Sequence, residues 1–461
     1  MSKYRTPGVY IGESSSFPPS VKQVETAIPA FIGYTEKGPS EPMRIRSMVE
    51  YQNLFGGAAG EIGRFKINHD GSIDSPVIPD TPKYRLYYSL QLFFNNGGID
   101  CYIISAGNYD DPIQNSDLEK GLKLLGKLDE PTLILLPDGY ENPYDLYTQA
   151  LAQCAARKDR FLICDVKHAA GANNPIQKSA EEFRFGIGSN NLMFGAAYYP
   201  NLKTIMTYQY SQDQIDVEVE DAPHVKVLRH SDETISANGE KKEESLYHAS
   251  DGTYMMKYNQ IKKEIDSVKL TLPPSGAIAG VYAMVDHSRG VWKAPANVSL
   301  NGVVAPQVVI SNVDQNDLNV TASGKSINAI RSFPGRGVMV WGARTLAGND
   351  NEWRYIPARR FFNMVEESVK KATERFVTEP NDANTWTKIK AMIENYLNTL
   401  WRAGALAGAK PDDAYFVKLG LGETMSAQDI QQGKMIIVIG MSVLKPAEFT
   451  ILRYSHKMAE A

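Results

Sequence analysis

Three short runs hold residue types that can do chemistry. Ser323-Gly324-Lys325-Ser326 carries the glycine–lysine–serine end of a phosphate-binding loop, in which backbone N–H groups and a lysine cradle phosphates. The full pattern needs another glycine five residues before Gly324. Asn319 stands there, so the run reads as a polar turn. Asp286-His287-Ser288 holds the three side-chain types of a hydrolase relay. Consecutive residues do not stack into that relay, and no Gly-x-Ser-x-Gly elbow accompanies them, so a turn or packing role is expected. Asp138 and Asp165 end two expected strands, where active-site carboxylates of α/β proteins often sit. The favoured reading is that they cap turns or helices. The 7 histidines are scattered, with none at ligand spacing. Cys101, Cys154 and Cys164 lie in apolar surroundings without a Cys-x-x-Cys pair, and read as buried free thiols. Lys241-Lys242-Glu243-Glu244 is a balanced, solvated charge run, and Gly335-Arg336-Gly337 is too short for a nucleotide fingerprint. No catalytic, cofactor or metal site emerges. That favours a structural or interaction protein, although dispersed residues can also assemble a site.

The elements around these residues alternate. Ile28–Tyr34 reads as a buried strand. Leu86, Leu90, Phe93 and Phe94 lie at helical spacing within 84–94, and Asn95-Asn96-Gly97-Gly98 stops that helix. Cys101–Ser105, Leu133–Leu136 and Phe161–Asp165 read as strands, with a helix over Tyr144–Arg157. Strands alternating with helices predict a mostly parallel sheet covered on its faces. Near the other end, Phe361, Val365, Val369, Ala372 and Phe376 form one apolar helix face. Pro380-Asn381-Asp382 breaks that helix. A second follows with Trp386, Ile389, Ile393, Leu397 and Leu400, and Gly404 caps it. Strands are expected at Ala414–Leu419, Met435–Ile439 and Phe449–Tyr454.

The chain has 461 residues, 43% hydrophobic and 22% charged, with a formal net charge of -4. At roughly 100–200 residues per domain, two to four domains are expected. The near-neutral balance argues against nucleic acid as the direct partner. No apolar run reaches the ~18 residues of a membrane span, and the first residues lack the apolar core of a secretory signal, so cytoplasmic folding and no membrane insertion are expected. Residues 1–25, rich in Ser and Pro, read as an extended arm with one apolar stretch, Val9-Tyr10-Ile11. Residues 204–270 change to an acidic, alternating pattern, and read as an exposed β-rich insertion or a pair of long loops. The expected division is arm 1–25, α/β domain 26–203, outward insertion 204–270, return to the α/β domain 271–345, C-terminal inner domain 346–445 and C-terminal arm 446–461.

Several segments carry a resemblance. They are Thr6-Pro7-Gly8-Val9-Tyr10-Ile11-Gly12-Glu13, Ala27–Pro39, Phe93–Ile104, Ala196–Pro200, Pro273–Asn297, Ile327–Thr345, the run from Phe376 to Asp382, Leu400–Gly408 and Lys445–Phe449. In this order they resemble the contractile tail sheath family of myophages, R-type tailocins and extracellular contractile injection systems. The resemblance implies a multi-domain, mixed α/β fold whose core comes from both ends of the chain. It implies a homo-oligomer of hexameric rings stacked helically around an inner tube protein, with or without sheath paralogues, and bounded by baseplate and terminator or cap proteins. It implies a metastable extended sleeve that contracts and drives the tube through a target membrane, in a phage tail or a released particle. It also implies that the arms pass to neighbouring subunits.

The residues fit that picture. A short apolar segment cannot fold alone, but it can pair onto a neighbour's sheet edge. Val9, Tyr10 and Ile11, or Val21 and Val24, can supply one paired segment. Phe449, Ile451 and Arg453, on one face of the last strand, can supply another. Lys370, Lys371 and Glu374 are the candidates for a polar sliding contact with the inner tube. Two other readings compete. One is a hydrolase-like α/β enzyme using Asp138, Asp165 or a histidine. The other is a surface-binding module of a particle with 204–270 as its adhesive part.

Overall fold

The computed structural model describes residues 20–210, 215–220, 226–227, 244–245 and 252–446. Apolar runs bounded by turns become six parallel strands: β1 (Pro29–Thr35), β2 (Cys101–Asn108), β3 (Leu133–Leu135), β4 (Phe161–Asp165), β5 (Gly195–Tyr199) and β6 (Ile327–Phe333). Their spatial order is β6-β5-β4-β3-β1-β2, with every adjacent pair parallel. Short antiparallel strands finish the sheet. Met43–Ile45 lies beside β2, and Gly337–Val340 followed by Val298–Ser299 lies beyond β6. Every residue of β1, β4 and β5 is buried, as a sheet covered on both faces requires. Alternation along the strands feeds two cores. Phe31, Leu133, Leu135, Phe161 and Ile163 face one, and Ala30, Ile32, Ile134, Leu162 and Cys164 face the other.

Helices α1 (Leu86–Asn95), α2 (Tyr144–Arg157) and α3 (Ser275–Arg289) pack on this sheet, as do the helices Asn115–Leu125 and Asn312–Asn319. Helix α1 is buried nearly all round, because α3 packs against it on the Phe31 side of the sheet. Gly276 and Gly280 make that packing possible. A Cβ at either position would collide with the backbone of Ser89 or Phe93, so only glycine lets the two helices approach this closely.

The insertion differs from its expected form. Leu202–Thr207 pairs with Lys269–Leu272 and with Val303–Pro306 in a three-stranded sheet. Asp216–Val219 pairs in parallel with Phe65–Ile67. A sixteen-residue helix, Gly252–Ser267, stands where strands or loops were expected. Its Tyr258, Ile261 and Ile265 are buried in the same core as Phe31, together with Ile215, Val217 and Val219. Apolar burial decides the outcome: the helix residues, three and four apart, and the strand residues, two apart, gain more inside that core than outside it.

The chain divides into two compact units, one of residues 25–364 with 445–446 and one of residues 365–444 with 20–24. Helix α4 (Ile356–Thr373) runs across the division at residue 364 and ends in a single 3-10 turn, Glu374–Phe376. In the smaller unit Asp382 caps α5 (Ala383–Arg402), accepting the Thr385 N–H at 2.9 Å. Gly404, at φ 76, ends the helix as expected. Helix α5 packs on β7 (Tyr415–Lys418), which pairs antiparallel with β8 (Val438–Met441). Strand β8 begins three residues later than the sequence run suggested.

Candidate assembly surface

The residues that looked chemical are structural. The Asp138 carboxylate, just beyond β3, accepts the N–H groups of Tyr34 (2.7 Å), Arg85 (2.5 Å) and Leu86 (3.1 Å). It thereby ties the end of β1 to the start of α1, and Gly33 leaves it room, since a Cβ there would strike the carboxylate. Asp165, the last residue of β4, accepts from the Ser275 N–H (2.8 Å) and hydroxyl (2.6 Å) and so holds the start of α3. Burial pushes both carboxyls up to about 6, against the pull of these donors and of the Arg85 charge. Apart from Tyr34 in β1, their donors lie at helix starts, so both carboxylates cap helices.

Asp286, His287 and Ser288 lie in the last turn of α3, not in a turn between elements. Ser288 Oγ donates to the Met284 carbonyl at 2.7 Å. Lys325 Nζ donates to the Arg184 carbonyl at 2.5 Å and Gly324 takes φ 73, so the Ser323–Ser326 run is a closed polar turn. Gly335 and Gly337, at φ 73 and 76, make the hairpin turn after β6. All three cysteines are buried and free, and burial pushes their thiols up.

The expected interface residues divide. Val9, Tyr10, Ile11, Phe449, Ile451 and Arg453 lie outside the described residues. Val21 and Val24 are half-buried, and the Val24 N–H donates to Ser368 Oγ at 3.0 Å within the smaller unit. Lys370 and Lys371 both reach Glu367, at 3.2 and 3.4 Å. Glu374 is exposed on the 3-10 turn beyond them. Sequence reasoning missed Glu367, which at 9% side-chain exposure gathers both lysines by i, i+3 and i, i+4 spacing.

It also missed what β7 and β8 make together. They form a two-stranded ribbon in register Tyr415↔Met441, Phe416↔Gly440, Val417↔Ile439 and Lys418↔Val438. Among the described residues each strand has a single ladder partner, which leaves one edge of each unpaired. Apolar side chains stay uncovered here: Phe416 is 50% exposed and Val438 42%. Phe416 lies over Gly440, where a Cβ would strike its ring. The signal was Gly440 in the middle of an apolar strand, the mark of a place where something large must lie across the backbone.

Comparison with known proteins accords with this geometry. The family model described as phage tail sheath C-terminal domain matches residues 348–456, and that of the phage tail sheath protein central domain matches 225–346. The tail sheath protein of Vibrio phage KVP40 is 25% identical over 165 residues, which is 35% of this chain but only 23% of that longer protein. Among solved structures, the sheath complex of an extracellular contractile injection system (PVC) in its contracted state superposes with a TM-score of 0.67 at 30% identity, over 99% of both chains. A chain of the anti-feeding prophage baseplate, 6-fold symmetrised, gives 0.64 at 33% identity over 99% of this chain and 100% of that one. End-to-end agreement at this identity, with both sheath models in chain order, places the chain in the phage tail sheath family.

Proposed function

We propose that the chain is the structural subunit of a contractile sheath. It polymerises as stacked hexameric rings around an inner tube, alone or with sheath paralogues. It then contracts from a metastable extended state and drives the tube through a target membrane. The β7–β8 ribbon carries this reading. The ribbon is held by α5 packing on β7, while its unpaired edges invite another strand. Exposed Phe416 and Val438 beside those edges suit an incoming segment with alternating apolar residues. The arms 1–25 and 446–461, with Val9, Tyr10 and Ile11 or Phe449 and Ile451, supply such segments from neighbouring subunits. Val24 is already bonded within its own chain, so the exchanged part lies ahead of it.

Contacts of this head-to-tail kind, repeated without closure, build a helical filament. Contraction is then a switch between two packings of tethered subunits, with new contacts supplying the energy and neither nucleotide nor cofactor consumed. Lys370, Lys371 and Glu374 are the proposed tube contact, weak and salt-screened enough to release. Baseplate and terminator or cap proteins bound the sleeve. It is assembled in the cytoplasm as part of a phage tail or of a particle later released. The proposed working division keeps 26–203 with 271–345 as the sheath body, 346–445 on the tube side and 204–270 outward.

Negative-stain electron microscopy of the protein, purified alone and with the tube protein encoded beside it, tests the reading. Hollow striated sleeves are expected. Discrete particles under both conditions would overturn it.

A further inference from the structure

The N-terminal arm must leave the body somewhere, and the residues just before β1 are gripped unusually hard. Thr26 Oγ1 donates to Asp286 Oδ2 at 2.6 Å. Arg360 forks onto the same carboxylate, Nη1 to Oδ1 at 3.0 Å and Nη2 to Oδ2 at 2.5 Å, and Nη2 also donates to the Thr26 carbonyl at 2.8 Å. Thr132 Oγ1 donates to that carbonyl too, at 2.8 Å, and accepts the Ile28 N–H at 2.9 Å. The ion pair is buried, with side-chain exposures of 3% for Arg360 and 6% for Asp286. The Arg360 guanidinium lies 4.6 Å from the centre of the Tyr282 ring, which holds its plane.

This pair is out of place as ordinary helix chemistry. Asp286 sits in the last turn of α3, where the helix dipole disfavours an anion. Burying both charges is costly unless geometry and hydrogen bonding are very good. The arrangement spends that cost on a single threonine at the edge of the body. Behind Thr26 lies β1, the strand between β3 and β2, on which both cores of the sheet depend.

We propose that the Asp286–Arg360 fork anchors the root of the N-terminal arm, gripping Thr26 so that tension between subunits passes into α3 and α4 and does not peel β1 from the sheet. The anchor's purpose rests on the arm-exchange reading above, while its existence does not. Asp286 and Arg360 are positioning residues that act through Thr26.

The test uses the full chain with Thr26→Val, which removes the hydroxyl without stranding a charge, Thr26→Ser, which keeps it, and Asp286→Asn, which weakens the fork. In hydrogen exchange of the monomer, protection over residues 25–30 should fall about tenfold in Thr26→Val, the worth of one hydrogen bond to a charged group. It should stay at the wild-type level in Thr26→Ser and fall further in Asp286→Asn. Sleeves built from Thr26→Val should break into shorter pieces than wild type under a fixed shear, with Thr26→Ser restoring their length. Unchanged protection in Thr26→Val would show that no anchor exists. Lost protection with sleeves of wild-type shear resistance would show that the contact only trims a frayed end. If deleting residues 1–19 leaves sleeves unaltered, the arm-exchange reading fails and takes the anchor's purpose with it, while the exchange data still report whether the grip is there.

Discussion

Asp138 and Asp165 show how a residue type that suggests chemistry ends up organising a fold. Each carboxyl sits at the end of a parallel strand, where α/β enzymes keep their acids. Here each is consumed by backbone donors at a helix start, and Ser275 adds its hydroxyl. Burial holds both at about 6, above the ~3.9 of an aspartate in an unfolded chain. Protonation is therefore easier in the fold than out of it. Their contribution to stability is fully present below the unfolded value and is lost as pH rises through about 6. The gap corresponds to on the order of 3 kcal/mol per carboxyl at full effect. The Arg85 charge tempers it by favouring ionisation of both, while Asp138 alone shares a cleft with the Glu61 and Glu141 carboxylates. The urea midpoint should accordingly rise as pH falls from 7.5 to 5, the reverse of the usual loss of salt-bridged carboxylates. Asp138→Asn and Asp165→Asn should each cost about 1–3 kcal/mol at neutral pH through a lost cap acceptor, and each should flatten the slope between pH 5 and 7. A wild-type slope of the opposite sign would show that the capping donors outweigh burial.

At the scale of elements, the ribbon is where packing and assembly meet. Phe416 covers Gly440 across the ladder, so the side chain closing the bare stretch of β8 is also half-exposed to whatever docks there. Gly440→Val would push the ring off. The monomer should lose only on the order of 1 kcal/mol, one cross-strand pair in a unit whose core lies on α5. Sleeve yield by high-speed pelleting should drop at least tenfold, because the displaced ring blocks the strand site at every subunit. Wild-type pelleting by a folded Gly440→Val protein would remove the ribbon from the assembly mechanism. Elements with a strong local signal were legible from sequence: Tyr144–Arg157 and Phe161–Asp165 fall at their expected ends, and the Asp382 break and Gly404 cap bound α5. The ribbon was not, because its two strands are separated by nineteen residues that include the short helix Ala427–Gln431, and pairing is non-local. Helix Gly252–Ser267 was not, because exposed Met255 and Met256 sit outside its buried stripe of Tyr258, Ile261 and Ile265 and blur the period. Nor was Glu367, whose role appears only once α4 brings Lys370 and Lys371 onto its face.

For the whole molecule, the question is which parts the sleeve needs. Removing all of 204–270 would be a poor test of an outward insertion. It would take away Tyr208, Ile215, Val217, Val219, Tyr258, Ile261, Ile265 and Leu270, eight buried apolar side chains of the main core, at about 1.5–3 kcal/mol each, more than a domain's usual margin. It would also remove most of Leu202–Thr207, the central strand of the three-stranded sheet. The cut must fall between elements. Lys226–Val227 and Glu244–Ser245 are adjacent parallel strands, paired Lys226↔Glu244 and Val227↔Ser245. Because they are parallel, the chain must run back between them, which takes about a dozen residues, so a Gly/Ser linker of about that length can replace residues 228–243 without moving either. If this segment faces outward and serves targets, not neighbours, the shortened chain should keep its unfolding free energy in urea within about 0.5 kcal/mol and still form striated sleeves with the tube protein. A folded, shortened chain that no longer polymerises would place 228–243 between subunits. The outward assignment would then fall, while the arms and the ribbon would remain the means by which subunits are joined.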